Sequence, residues 1–407
     1  MIYRSTMQKL KTILKLALLC ACLTCIIFSF NTTDNPTAYA DDSGSDLTQQ
    51  LGGDISNQLG NLNFLGLDDI IKNLASSEQG IFGGTSFLSK VQSLINGSMD
   101  GNYNSFFSYI LNFVFDDILN FVPILATIIA IAIVCSFVGQ IANKNKSIAN
   151  IIYFVCFGAV VIIVFLSCKD LLSMVQGVLG SIKTQMEIIF PILLTLITSL
   201  GGLVTVSAFQ PAIAFLSVGI MDIFTALIIP LFIFTLVFNV VGNLSNNVRL
   251  DKFAGFTNSL FKWIIGIIFT IFIAFITIQG ITASSVDGIS IKTAKFALKS
   301  YIPILGGYLS DGLNLIMASS VLIKNAVGAA GLLLLAATVL LPVLKIVIFM
   351  FGLKLVAAVI EPLSDSRMSN FISGVAKCMT MLIVCILGVG FMYLITVGLL
   401  MCIANGV

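Results

Sequence analysis

From about residue 121 to residue 403 the chain is a succession of apolar segments, each too long and too free of charge to be the core of an ordinary soluble domain. Segment 121–141 carries no charged residue, and as a helix rising 1.5 Å per residue it spans about 30 Å, the thickness of bilayer hydrocarbon. Inside hydrocarbon every backbone N–H and C=O must be satisfied within the segment itself, so these runs are expected to be helices. The fold class that follows is all-α, a polytopic helical membrane protein. Composition agrees: 58% of the 407 residues are hydrophobic and 10% are charged, against about 25% charged in soluble domains.

The chain has no histidine. That removes the commonest general base and transition-metal ligand and the usual near-neutral proton switch. No Walker motif, dinucleotide fingerprint or metal-ligand spacing is present, so no cofactor is expected. A formal net charge of +2 without a basic stripe gives no reason to expect nucleic acid as a partner. The nine cysteines fall in or beside apolar runs and read as small buried hydrophobes.

At the N-terminus, Arg4, Lys9, Lys11 and Lys15 precede an apolar run at 16–30, and Ala38-Tyr39-Ala40 lies just before Asp41-Asp42. This is the pattern of a cleavable secretory signal peptide over 1–40, with an uncleaved anchor as the alternative. Residues 41–120 form a polar, Ser-, Gly- and Asn-rich stretch holding short amphipathic patterns at 67–74 and 87–95. Too poor in apolar residues for its own core, it is expected outside the cytoplasm, packed on the membrane domain or on a partner. Residues 121–407 make the multi-span domain. Its candidate spans are 121–141, 150–168, 188–207, 212–241, 263–282, 301–323, 326–358 and 378–402. That is about eight crossings, or six or seven where a segment is re-entrant. The basic loop Asn143-Lys144-Asn145-Lys146 between the first two falls in the cytoplasm by the positive-inside rule.

A shift of 112 residues lays Pro191 on Pro303 and Pro230 on Pro342, and a polar loop near 244–253 resembles one near 363–371. Residues 183–282 and 295–402 are therefore candidate copies of a three-segment unit. If all three segments cross, the copies are inverted, as in many transporters; if one is re-entrant, they are parallel. The inverted version puts Arg249, Lys252 and Lys262 outside, against the positive-inside rule.

Charged and conformationally weak residues inside apolar stretches are the candidate functional positions. Asp222 interrupts 212–241, where an unpaired carboxylate is expensive: it either lines a pathway or pairs near an interface. Gly306 and Gly307 after Pro303 suit a broken or re-entrant helix, and Ser310-Asp311 suits an N-cap for a helix from Gly312. Lys345 and Lys354, nine residues apart, cannot share one helix face. Lys345 is the better partner for Asp222 or Asp311, while Lys354 snorkels. An aspartyl intramembrane protease would need a Gly-x-Gly-Asp signature, and Tyr308-Leu309-Ser310 precedes Asp311 instead.

The stretch Pro303-Ile304-Leu305-Gly306-Gly307 with Ser310-Asp311, followed by Ser320-Val321-Leu322-Ile323-Lys324-Asn325-Ala326-Val327-Gly328, resembles the stage III sporulation protein AE family of endospore-forming bacteria. Val286-Asp287-Gly288, Lys292-Thr293-Ala294-Lys295-Phe296 and Glu361-Pro362-Leu363-Ser364-Asp365 add to the resemblance. It implies a non-enzymatic multi-pass subunit of a feeding-tube-like channel complex. That complex would lie in the mother-cell membrane facing the engulfed forespore, with other membrane and extracytoplasmic stage III subunits as partners and an unidentified solute. The resemblance carries Gly306, Gly307, Ser310, Asp311, Lys324 and Asn325 as structural or pathway positions. A stand-alone secondary transporter is the main competing expectation, and an intramembrane hydrolase is a third.

Overall fold

The computed structural model describes residues 52–55, 57–60, 62–74, 86–97, 103–141, 146–244, 251–301, 306–362 and 366–403. The expected signal peptide and its cysteines lie outside these residues. Residues 52–55 and 57–60 are helical, and two short helices follow, α1 (Leu65–Asn73) and α2 (Phe87–Ile95). Six long ones follow: α3 (Tyr103–Ile141), α4 (Lys146–Ser199), α5 (Leu203–Leu244), α6 (Asp251–Tyr301), α7 (Gly306–Ile360) and α8 (Ser366–Cys402). Among the described residues there is no strand, and six helices are long and apolar enough to cross a membrane.

The six helices fall within the expected six to eight, and the eight candidate segments merge into them for two local reasons. Segments 150–168 and 188–207 were separated by polar residues, but α4 runs through them as one helix of 54 residues, about 81 Å at 1.5 Å per residue. Nothing between Lys169 and Glu187 breaks a helix. The break comes later, inside the segment expected to span 188–207: Gly201 adopts φ +83°, its N–H bonds to Thr198 O (2.8 Å), and Gly202 N–H bonds to Ile197 O (3.0 Å). That is a Schellman C-cap, which needs the left-handed conformation glycine permits. Segments 301–323 and 326–358 likewise join into α7, 55 residues long. Ser310-Asp311 therefore sits in the second turn of a helix that starts at Gly306, not at the cap of one starting at Gly312.

The irregularity expected in 212–241 is present. Within α5 the hydrogen-bond register widens to π over Phe215–Ile220 and Phe224–Ile228, flanking Met221–Ile223 and so Asp222. Pro230 has no N–H to offer Ala226 O, and the second π stretch ends just before it.

Three helical hairpins, α3–α4, α5–α6 and α7–α8, stand side by side. The Tyr153 hydroxyl near the start of α4 donates to Asn243 O near the end of α5 (3.3 Å), and the Arg367 guanidinium at the start of α8 lies 3.9 Å from the centroid of the Tyr153 ring. Ser369 Oγ donates to Ala357 O near the end of α7 (3.0 Å). At the opposite end, Phe190 stacks on Tyr393 (5.6 Å between centroids), and Lys324 Nζ donates to Ile403 O. The helix ends that flank 245–250 and 363–365, the loops that resemble each other at an offset slightly larger than 112, therefore lie at one end of the bundle. That arrangement excludes the inverted version of the repeat.

Helix α7 is the central one, touching α2, α3, α4, α6 and α8. Between Leu322 and Phe351 it exposes no large apolar side chain. Its glycines allow close approach: a Cβ on Gly331 would lie 2.9 Å from Ile189 Cδ1 and 3.0 Å from the Tyr393 hydroxyl. On α4, exposed large apolar side chains run only from Ile151 to Leu166, after which the exposed residues are polar, small or proline, Lys169, Asp170, Gln176 and Glu187 among them. The lipid-facing stretch of this helix is its first third.

Candidate solute-facing cavity

Beyond that apolar stretch, the helices line a half-open cavity of about 310 Å³. Helix α4 contributes Met174, Gly177, Val178 and Ser181, spaced i, i+3, i+4, i+7 and so on one face. Helix α7 contributes Thr338, Pro342 and Lys345 with the same logic, and α3 contributes Phe113. The fourth wall is α1, through Ile70, Asn73 and Leu74. The polar N-terminal segment is thus part of the wall of this cavity.

That wall is firmly fixed. Leu67 and Ile71 of α1 are buried, and Gly66 lies so close to α4 that a Cβ there would come 2.6 Å from Ile188 Cδ1. Asp68 Oδ1 accepts the Phe87 N–H at 2.7 Å, satisfying one of the free donors at the start of α2. Phe87 and Val91 of α2 are buried against the rest of the fold. Gln58 donates to Ser319 Oγ (3.0 Å) and accepts from Ser320 Oγ (3.1 Å), joining the segment before α1 to α7.

Lys345, the charged residue of the cavity lining, is held in an ion pair. Lys345 Nζ lies 3.6 Å from Asp117 Oδ1, with side-chain exposures of 38% and 6%. Sequence reasoning gave Lys345 a different partner, Asp222 or Asp311. It missed Asp117 because that residue lies in the stretch read as extracytoplasmic, whereas α3 begins at Tyr103 and carries it into the bundle. The available signal was Phe113 and Asp117 at i, i+4, one face of a helix continuous with the first apolar run. Two turns away on α7, Thr338 Oγ1 accepts from Gln185 Nε2 (2.9 Å) and donates to Leu334 O (2.8 Å). Asp117 Oδ2 and Gln185 Oε1 are both buried without a hydrogen-bond partner.

The other expected site residues lie elsewhere. Asp222 is 65% exposed and pairs with Lys183 Nζ at 3.8 Å, on the outside of α4 and α5. Lys324 is fully buried, and its bond to Ile403 O caps the C-terminus of α8, where carbonyls lack intrahelical partners. Asn325 Oδ1 beside it is buried and has no hydrogen-bond partner. Gly306, Gly307, Ser310 and Asp311 form the first turns of α7, and their surroundings lie outside the described side chains. Lys354 is exposed, with Nζ 5.4 Å from the centroid of the Phe351 ring, the outward orientation expected of it. Among the described cysteines all are free; Cys402 is exposed, contrary to expectation, because it ends α8 at the bundle's edge. Among the described residues no group of three or more metal-type ligands converges. The arrangement offers polar contacts and one compensated charge pair next to open volume, which suits binding or passage of a solute.

The sequence profile described as stage III sporulation protein AE matches residues 85–404. The chain belongs to that family. The match takes in all six long helices and α2, so the family's common part includes the cavity's α3, α4 and α7 walls. The stage III sporulation protein AE of Bacillus subtilis (strain 168) is 23% identical over 313 residues, covering 76% of this chain and 78% of that protein. No solved structure matches. The chain is accordingly a sporulation membrane protein of the stage III AE family.

Proposed function

We propose that this chain is a non-enzymatic membrane subunit of the channel complex that joins mother cell and forespore, seated in the mother-cell membrane facing the engulfed forespore. Family membership supports the sporulation role. The observation that carries the channel reading is the cavity between α1, α3, α4 and α7, mainly apolar but lined also by Lys345, Thr338, Ser181 and Asn73, with the short helix α1 docked as one wall. Lys146, Lys252 and Arg367 begin α4, α6 and α8 at the other end, which the positive-inside rule assigns to the cytoplasm. Six crossings then return the C-terminus to the outer side, where α1 and α2 stand between the two membranes and meet the other stage III subunits. In this reading Lys345 is a cavity residue and Lys324 and Asn325 hold the outer end together. Asp222, Gly306, Gly307, Ser310 and Asp311 serve packing or partner contact.

The test is deletion of the gene in its native host, with heat-resistant spores, vegetative growth and engulfment scored together. Loss of spores with normal growth and completed engulfment is the expected result. Unchanged spore counts would remove the assembly role and leave a stand-alone transporter, which liposomes containing this protein alone would then reveal by ion-coupled uptake.

A further inference from the structure

We propose that Asp117 is the anchor of a monovalent-cation site whose place is held here by the ammonium group of Lys345. The inference concerns the cavity itself and stands apart from any role in a sporulation complex. Two neighbouring stretches of the bundle, the Lys345–Asp117 pair and the Gln185–Thr338 pair two turns away along α7, hold more acceptors than donors. The Asp117 carboxylate can accept several hydrogen bonds, yet only Oδ1 has a partner, and Oδ2 is buried without one. Gln185, fully buried, spends its amide N–H on Thr338 and leaves Oε1 unpartnered. The Thr338 carbonyl faces a further deficit, since the residue four positions on is Pro342, which has no N–H. Buried acceptors left over in this way mark a missing donor or cation.

The two halves of the ion pair are unequal. Asp117 is held on the buried face of α3, while Lys345 is more than one-third exposed and lines open volume on a flexible four-carbon stem. The lysine can therefore withdraw into the cavity, and the carboxylate cannot follow. Replacing one ammonium by one monovalent ion preserves charge balance around a single carboxylate. A divalent ion would leave an excess positive charge, because Asp116, the neighbouring carboxylate, is exposed. A buried carboxylate with an unused oxygen suits an alkali ion or a small organic ammonium.

The full chain purified in detergent allows a direct test by equilibrium dialysis with labelled sodium, potassium and methylammonium. Lys345→Met is expected to bind at least one of the three ten-fold or more tightly than the wild type, because the internal competitor is gone. Adding Asp117→Asn is expected to abolish that gain. The three ions distinguish an inorganic from an organic ligand. A second measurement uses the unaltered chain: acetylation of Lys345 is expected to rise several-fold when N-methylglucamine buffer is exchanged for the binding ion, while acetylation of Lys354 stays constant. Lack of a binding gain in a folded Lys345→Met chain, or flat Lys345 labelling in all three ions, overturns the proposal.

Discussion

Among the described residues two lysine–aspartate pairs join different helices at similar length, and their surroundings differ sharply. Lys345–Asp117 joins α7 to α3 across 3.6 Å with the carboxylate almost wholly buried. Lys183–Asp222 joins α4 to α5 across 3.8 Å with the carboxylate 65% exposed. In the first, desolvation makes each partner depend on the other, and loss of one strands a charge. In the second, solvent or a partner's polar surface can take over, so the pair contributes little to stability. Distance alone therefore says almost nothing about what an ion pair does; burial decides it.

The largest expected effect is an asymmetry within the buried pair. Lys345→Met leaves the buried Asp117 carboxyl without its counter-ion and should cost about 3–5 kcal/mol, the range for removing one partner of a buried pair. Asp117→Asn leaves a lysine that can reach into the cavity, and should cost only about 1–2 kcal/mol, near that of a lost charged hydrogen bond. The double change Asp117→Leu with Lys345→Met removes both charges and should restore most of the loss. Thermal unfolding midpoints in one detergent, measured without sodium or potassium, check all three. Equal costs for the two single changes would break the comparison, because they would mean that both side chains are equally confined.

A smaller effect, about 1–3 kcal/mol, is expected for Gly331→Val. The new side chain would press on Ile189 and the Tyr393 hydroxyl where α7, α4 and α8 meet. The Tyr393 ring is fully buried and stacked on Phe190, so it has little room to yield. Chemical unfolding of the purified chain reads the loss. A change below ~0.5 kcal/mol would show that the ends of these side chains move aside and that the outer half of the bundle is looser than the packing around Gly331 implies.

Much of this architecture was legible in the sequence, because long apolar runs allow only helices in lipid. The weak point in 212–241 was legible too: Asp222 and Pro230 marked the segment whose register widens to π. The number of helices was not, because a gap in hydropathy was read as a gap in structure. Lys169, Asp170, Lys183 and Glu187 are polar but remain helical, and α4 carries them past its lipid-facing third. The stop signal at Gly201-Gly202 was present, yet apolar residues on both sides hid it. Asp117 was missed for a related reason. A boundary drawn at residue 121 by hydropathy separated it from the helix to which it belongs. Hydropathy reports lipid contact, and these residues pack against protein.

The smallest expected change is in Asp222→Asn, and it is the most informative about partners. With the carboxylate 65% exposed and its lysine 35% exposed, stability should shift by less than about 1 kcal/mol. Yet an exposed charge set between two π-helical stretches, on a helix otherwise apolar over most of its length, is an unusual feature to place against lipid. If the pair meets another subunit, Asp222→Asn should lower heat-resistant spore counts by ten-fold or more with the protein level unchanged, and Lys183→Gln should do the same. If it meets only water, both variants should sporulate normally. A large loss of protein from either variant would contradict the surface character of the pair and put it in the same class as Lys345–Asp117.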